Sequence, residues 1–349
     1  YDEAPIPTNF YRAKYICKMH KARVRANDYY FSKLFNLFGI ERSNGSNFKK
    51  QLFFLLSDDY VTYCSYKNES QTGNIMKEEE ILNGLRFARQ NFYRPVFVHS
   101  NNSFNFKNYE KYLDYDILHI VPAKFYKYAK QIGLKRILPV YTLESIKVLD
   151  SLQENIILNV HSDEIKELTE AVKVIFKNCD RINLNITGLN KDFNEEEYRF
   201  QMKEISEFLI DELENHGVLK EINVLTDTIF IDKHDNCTAG EDAFVILPQG
   251  KIYTCCAQYS NYPEESIGDL NKGIFKDYLK RLYDIKNSNL CRICDAYQCK
   301  NCRYINKLYT NEINVSPSFQ CRKSHIERDI SSDILEKLKP LSEKIELPY

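Results

Sequence analysis

Between about residues 50 and 225, short apolar runs alternate with longer stretches in which apolar positions recur with the period of a helix. The apolar runs are rich in β-branched and aromatic residues, which is typical of buried strands. The predicted strands are Gln51–Leu56, Pro95–His99, Ile117–Val121, Arg136–Tyr141, Asn155–Val160, Arg181–Ile186 and Glu221–Leu225. The predicted helices are Lys77–Gln90, Ala123–Gly133, Leu143–Leu152, Ser162–Lys177 and Asn194–His216. This alternation predicts an α/β fold with a parallel sheet, as a full or a partial (β/α) barrel.

The pattern changes after Thr226. Two apolar runs, Ala243–Leu247 and Lys251–Cys255, flank Gly250 and predict a β-hairpin with a tight turn. We predict one helix at Phe275–Lys286 and another at Ile330–Lys339, which ends at Pro340. The chain therefore divides into an N-terminal extension (1–47), the α/β part (48–230), a C-terminal domain (231–330) and a tail (331–349).

Composition narrows the classes of function. The formal net charge is −1, which gives no electrostatic reason to expect a nucleic-acid partner. No apolar run approaches the ~20 residues of a membrane span. We see no secretory signal at the beginning of the chain, which starts at Tyr1, and expect a cytoplasmic protein.

Cysteine is distributed unevenly. The chain has 11 cysteines, and only Cys17, Cys64 and Cys179 lie before residue 237. The others are Cys237, Cys255, Cys256, Cys291, Cys294, Cys299, Cys302 and Cys321. A secreted disulfide scaffold is usually short, with cysteines throughout, whereas here a long cysteine-poor part precedes a dense one. This distribution favours metal binding by thiolates in a reducing compartment.

The spacing of the cysteines supports a metal site. Cys291-x2-Cys294 and Cys299-x2-Cys302 are two pairs separated by four residues. The turn within such a pair aims both sulfur atoms at one point, as both iron–sulfur clusters and structural zinc require. On spacing alone, iron–sulfur clusters and a four-cysteine zinc site both remain open.

The order of motifs in this part resembles the SPASM domain of peptide-maturing radical-SAM proteins. It runs from Cys237 through the hairpin Gly250 and Cys255 to Ser266-Ile267-Gly268-Asp269-Leu270, then the double pair, then Cys321. The resemblance implies two 4Fe–4S clusters. One is held by Cys237, Cys255 and Cys302, and the other by Cys291, Cys294, Cys299 and Cys321. The family often has a fourth cysteine for the first cluster, and Ala243 stands at that position here. The resemblance therefore implies that the first cluster has an open iron or recruits Cys256 as its fourth ligand.

The radical-SAM signature itself is degraded. The three cysteines of the Cys-x3-Cys-x2-Cys motif that follows the first strand correspond to Ser57, Val61 and Cys64. A Gly-Gly-Glu-Pro-like stretch after the second strand is replaced by Val98-His99-Ser100-Asn101-Asn102. One thiolate cannot hold a cubane cluster, so we expect no SAM-cleaving cluster and no SAM binding.

Residues 50–330 are similar to the CXXX-repeat peptide maturases. The similarity rests on Leu55–Tyr66, on Ile75-Met76, on Pro95–Val98 and on Ser316–Cys321. It implies a role in maturing a ribosomally made peptide, with a cysteine-containing precursor as partner and a separate maturation protein as a further candidate partner. The chain is then either a peptide-modifying maturase or a pseudo-enzyme. A non-catalytic scaffold with structural clusters or zinc is the alternative.

Other polar residues are candidates by position. Asp58, Asp59 and Cys64 follow the first predicted strand, while His99 and His161 follow the second and fifth, at the end of a barrel that carries active sites. Capping or turn roles are the structural alternative for these residues. His234 and His325 lie near cluster cysteines and are further candidate iron ligands. Cys17 and His20 form a weaker Cys-x2-His pair, and the basic stretch Arg12–Arg25 is a candidate docking site for an acidic peptide leader.

Overall fold

The structure is a computed structural model that describes residues 50–66, 68, 74–104, 112, 115–148, 153–216, 220–229, 231, 234, 237–275 and 282–343. The N-terminal extension, with Cys17, His20 and the stretch Arg12–Arg25, lies outside the described residues. In the described part, one sheet contains eleven strands. They are β1 (Gln51–Leu55), β2 (Arg94–Val98), β3 (Leu118–Pro122), β4 (Ile137–Thr142), β5 (Gln153–His161), β6 (Cys179–Thr187), β7 (Glu221–Ile222), β8 (Ala243–Ile246), β9 (Lys251–Tyr253), β10 (Gly268–Asp269) and β11 (Gly273–Ile274).

The sheet is mostly parallel. Strands β1 to β7 lie side by side in chain order, and each neighbouring pair is parallel. On the other side of β1, β8 pairs parallel to it, and β9 to β11 continue antiparallel. The predicted parallel α/β fold is therefore confirmed. The hairpin of β8 and β9 turns at Gly250, whose φ of 76° suits glycine. Because β8 joins β1, the cysteine-rich part shares the sheet of the α/β part.

Helices connect the parallel strands and cover the C-terminal part. Those in the described residues are α1 (Glu78–Gln90), α2 (Tyr126–Gln131), α3 (Leu168–Phe176), α4 (Glu195–His216), α5 (Cys256–Asn261), α6 (Arg303–Thr310) and α7 (Ser318–Glu343). The stretch predicted as a helix from Leu143 forms only a 3-10 turn at Ser145–Val148 within its described residues. Reciprocal hydrogen bonds between Thr142 and Ser145 hold that turn.

Other boundaries also differ from prediction. Strand β7 ends at Ile222 rather than Leu225, because the amide and hydroxyl of Thr226 both donate to the Ile222 carbonyl and turn the chain. The C-terminal helix begins at Ser318 and runs past Pro340 to Glu343. Ile326, Ile330 and Ile334 bury one side of it in the core, which extends the helix well beyond the predicted range. The predicted helix Phe275–Lys286 lies mostly outside the described residues.

The two faces of the sheet are packed differently. Leu52 and Phe54 of β1 pack under α1, on what we call the outer face. Alternate residues pack on the inner face, where Leu55, Val98 and Ile157 belong to one apolar cluster. Tyr60 and Val61, which follow β1, belong to the same cluster and are buried. The chain after β1 therefore folds back over the inner face. Among the described helices, none combines the length and apolar character that a membrane span requires.

Candidate metal centre

Four cysteines of the C-terminal part line one small cavity. They are Cys291, Cys294, Cys299 and Cys321, which we call the second group. A 3-10 turn at Cys291–Ile293 places the first two, and the first turn of α7 carries Cys321. His234 and His325 line the same cavity. The residues that spacing and resemblance assign to one cluster are thus brought together.

Backbone amides point at two of these sulfur atoms. The Ala296 amide donates to Cys294 Sγ, and the Asn301 amide donates to Cys299 Sγ, each at 3.4 Å. Gln320 Nε2 approaches Cys299 Sγ at 3.8 Å. Hydrogen bonds from N–H groups stabilise a thiolate more than a thiol, because the charged acceptor is stronger. The local backbone is therefore suited to sulfur in its metal-binding form.

Buried polar atoms in the cavity have unused bonding capacity. Asn301 Nδ2 is buried without a hydrogen-bond partner in the described structure, and so is His234 Nδ1. The other ring nitrogen of His234 donates to the Cys294 carbonyl at 2.8 Å. Buried donors normally have acceptors, and cluster sulfides or metal-bound thiolates are acceptors of the required kind. The four thiols and the Asn301 amide therefore fit an iron–sulfur cluster.

Burial favours the protonated form of two thiols of the second group, Cys291 and Cys321. Burial and the neighbouring Cys299 raise the pKa of Cys321 to about 11. Burial also raises the pKa of Cys291, although the Ser316 hydroxyl opposes this effect. His325 Nε2 lies 3.5 Å from Cys294 Sγ. A bound metal ion would displace these protons, since a coordinating thiol is deprotonated.

The first group consists of Cys237, Cys255 and Cys302. Cys255 and Cys302 stand immediately before helices α5 and α6, at the N-cap of each. Burial is the main cause that raises the pKa of Cys302 to about 12, and Cys237 is the second cause. Burial also raises the pKa of Cys255, with Cys302 as the second cause. These mutual effects mean that the three thiols lie within electrostatic reach of one another. Within the described residues, no three His, Cys, Asp or Glu side chains are already drawn together tightly enough to hold an ion.

The positions of the degraded radical-SAM motif have other roles. The Ser57 hydroxyl donates to the Asp59 carboxylate. Val61 is 6% exposed in the apolar cluster of the inner face. Cys64 Sγ lies 3.9 Å from Cys256 Sγ, and the Cys256 hydrogen bond and burial raise the pKa of Cys64 well above its usual value. With one thiol among the three positions, this donor set does not fit a SAM-binding cluster.

Residues 57–66, which we call the β1 loop, are held across the inner face by strand side chains. Asn159 of β5 donates to the Thr62 carbonyl at 2.7 Å, and Asn185 of β6 donates to the Tyr63 carbonyl at 3.2 Å. The Tyr63 ring stacks on Phe53 with centroids 5.2 Å apart. The loop therefore reaches from β1 to β5 and β6 over the middle of the sheet.

Asp58 and Asp59 are both used within the loop. The Asp58 carboxylate accepts a 2.6 Å hydrogen bond from Asn74, and Ser100 donates to Asp59 at 2.8 Å. Burial alone would raise the pKa of Asp59, but hydrogen bonds from Ser57, Ser100 and Asn102 lower it. Both side chains are less than 8% exposed, with Asp58 at 4% and Asp59 at 7%. As placed, they stabilise the loop.

The two histidines at strand ends differ in position. His99 Nε2 lies 3.2 Å from His119 Nδ1, and its ring stacks on Phe104. Burial lowers the pKa of both His99 and His119, that of His119 to about 3. Because His119 packs edge-on against Phe97, a residue of the outer-face cluster, this pair lies away from the inner face. His161 packs over Gly188, where an added Cβ would meet its ring.

No protein-family model and no curated protein matches this chain. Among solved structures, native anSMEcpe with bound AdoMet and Cp18Cys peptide aligns with a TM-score of 0.58 at 14% identity, covering 83% of this chain and 99% of that one. A histidine-tagged form of anSMEcpe with bound AdoMet gives 0.57 at 14% identity, covering 85% and 96%. Streptococcus suis SuiB bound to S-adenosylmethionine gives 0.49 at 15% identity. The two anSMEcpe structures establish the fold, a partial barrel of the radical-SAM type with a cysteine-rich C-terminal part.

Proposed function

We propose that this chain is an iron–sulfur protein of the SPASM type that takes part in the maturation of a ribosomally made, cysteine-containing peptide, and that it does not cleave SAM with a cluster of its own. The β1 loop is the observation that carries this proposal. Its three motif positions hold a hydrogen-bonded serine, a buried valine and one cysteine that meets Cys256. The metal-binding capacity is concentrated instead in the two C-terminal cysteine groups.

The second group is the better-defined metal site of the two. Cys291, Cys294, Cys299 and Cys321 would hold a 4Fe–4S cluster, with the Asn301 side-chain amide as a hydrogen-bond donor to it. A bound cluster supplies electron transfer or a soft site for thiolates. The described cysteines are all free thiols, which is consistent with a cytoplasmic, reducing environment.

The inner face supports the absence of SAM cleavage. In the anSMEcpe structures that share this fold, AdoMet is bound. Here Tyr60 and Val61 are part of the apolar cluster on that face, and Asn159 and Asn185 hold the loop by its carbonyl groups. The chain's own β1 loop thus lies near the carboxyl ends of β5 and β6, the end of the strands at which a barrel of this type presents its active site.

A small cavity beside Cys302 is a candidate contact point for one side chain of the peptide. It lies between the end of β6 and helices α6 and α7, and combines apolar walls with charged groups. Leu184 and Ile186 line one side, while Lys300, Lys323 and Glu327 supply charge. One of the anSMEcpe structures contains a bound Cp18Cys peptide, which supports a peptide ligand for this fold.

Incubating the iron-loaded protein anaerobically with SAM and a strong reductant is expected to give no 5′-deoxyadenosine above the enzyme-free blank. Product would be measured by liquid chromatography with mass detection, and an enzyme with an intact Cys-x3-Cys-x2-Cys motif verifies the reductant. Product that disappears in the Cys64→Ala variant would contradict the proposal, because it would show that the β1 loop still holds a working cluster.

A further inference from the structure

Cys64 is the one cysteine of the β1 loop, and it lies beside the first cysteine group. Its Sγ atom is 3.9 Å from Cys256 Sγ, although 192 residues separate the two in sequence. Cys256 directly follows Cys255 of the first group. The thiol that remains from the degraded motif is therefore directed at the cysteine-rich part of the chain.

Two non-covalent contacts, one on each side of Cys64, hold the β1 loop against the cysteine-rich part. Asn185 joins the loop to the double cysteine pair, since its amide donates to the Tyr63 carbonyl at 3.2 Å and its oxygen accepts from Lys300 at 2.8 Å. The ring of Tyr66 contacts that of Tyr304 edge-on, with centroids 5.5 Å apart. The first contact connects residue 63 to residue 300 through Asn185, and the second connects residue 66 to residue 304. Residues 63–66 and 300–304 therefore run alongside each other, with Cys64 in one segment and Cys302 in the other.

Cys256 is placed differently from Cys255. Cys255 is the extended N-cap residue of α5, with φ −155° and ψ 168°, and Cys256 is the first residue of the helix. Neighbouring side chains at such a position point in different directions. Cys256 is 2% exposed and packs in the inner-face cluster with Val245 and Tyr253. Cys64 packs against the same cluster but is partly exposed, so Cys256 is the more enclosed of the two thiols and the poorer partner for Cys255 at a shared metal.

We propose that Cys64 is the fourth thiolate of the first iron–sulfur cluster, with Cys237, Cys255 and Cys302, and that the Cys256 thiol donates a hydrogen bond to it. This inference rests on the proposal that the first group holds such a cluster. Each ligating thiol loses its proton to solvent as an S–Fe bond replaces the S–H bond. The cluster is then closed and has no open iron for a substrate thiolate. It also ties the β1 loop to the C-terminal part.

Three serine variants test this assignment: Cys64→Ser, Cys256→Ser and, as a matched buried control, Cys179→Ser. Each is loaded anaerobically with ferrous iron and sulfide, and iron, sulfide and the electron paramagnetic resonance spectrum of the reduced protein are measured. We expect Cys64→Ser to change the spectrum of one of the two clusters and to lose iron from it, up to about half of the total. Cys179→Ser should match the unmodified protein in iron content and spectrum, and Cys256→Ser should keep the iron of both clusters. Unchanged iron and an unchanged spectrum in Cys64→Ser, or the loss in Cys256→Ser instead, would overturn the assignment.

Differential alkylation of the unmodified protein provides a second measurement that does not depend on how a variant folds. Cys64 is partly exposed, whereas Cys256 is buried. Mass spectrometry should find Cys64 labelled in the metal-free protein and protected in the loaded one. Equal labelling of Cys64 in the two states would refute its role as a ligand. An unmodified protein that takes up no iron would instead refute the proposed function, so the two failures are distinguishable.

Discussion

Replacing Cys299 with alanine is expected to reduce the iron of the anaerobically loaded protein by up to about half, because the second cluster then keeps only three of its four thiolates. Cys299 Sγ accepts a hydrogen bond from the Asn301 backbone amide, and Cys299 lines the cavity with the three other cysteines of the second group. The same variant should unfold at a lower temperature in the loaded state and at nearly the unmodified temperature without metal. The reason is that a structural metal stabilises only the folded chain.

Cys179→Ala is the control for this experiment. Cys179 is 1% exposed in the core, donates to the Arg181 carbonyl and belongs to neither group. It should lower stability equally with and without metal and leave the iron content unchanged. Iron content in Cys299→Ala equal to that of the unmodified protein would remove Cys299 from the metal site.

Replacing Arg181 with methionine is expected to lower the free energy of unfolding by about 3–5 kcal/mol, the usual cost of removing one partner from a buried ion pair. Arg181 binds Glu221 at 2.7 Å and Asp227 through both guanidinium nitrogens. The side chains of all three residues are at most 15% exposed. This contact fixes β7 and the turn after it against β6, at the edge of the parallel sheet.

Arg181→Lys is the matched control, since lysine keeps the charge but lacks the planar fork that binds two carboxylates at once. It should lose less stability than Arg181→Met in urea unfolding. Equal losses in the two variants would show that the geometry of the guanidinium, and not its charge, provides the stabilisation. An unchanged unfolding free energy in Arg181→Met would contradict the account of this edge.

The parallel sheet could be predicted from sequence because its strands are buried on both faces. Residues 155–160 are apolar at four of six positions and residues 181–186 at every second position, and the observed strands Gln153–His161 and Cys179–Thr187 include both ranges. Positions where side chains redirect the backbone were predicted less well. The Thr226 hydroxyl donates to the Ile222 carbonyl and so ends β7 early. The alternation of apolar and polar residues, from which the strand was predicted, does not reveal such a hydrogen bond.

The second cysteine group could be proposed from spacing and resemblance because most of its ligands lie within one short segment. The position of Cys64 could not. It depends on the parallel pairing of β1 with β8, which brings segments almost 200 residues apart into one sheet. Asn301 was also missed as a functional residue. Its only signal is a buried amide without a partner in the described structure, which the sequence does not contain.

The most direct measurement of the central claim is the identity and stoichiometry of the metal in protein purified anaerobically. We predict brown protein with ~8 iron and ~8 sulfide per chain, the content of two 4Fe–4S clusters. Colourless protein that carries stoichiometric zinc and no iron would contradict the account and would favour a structural zinc site made by the same thiols.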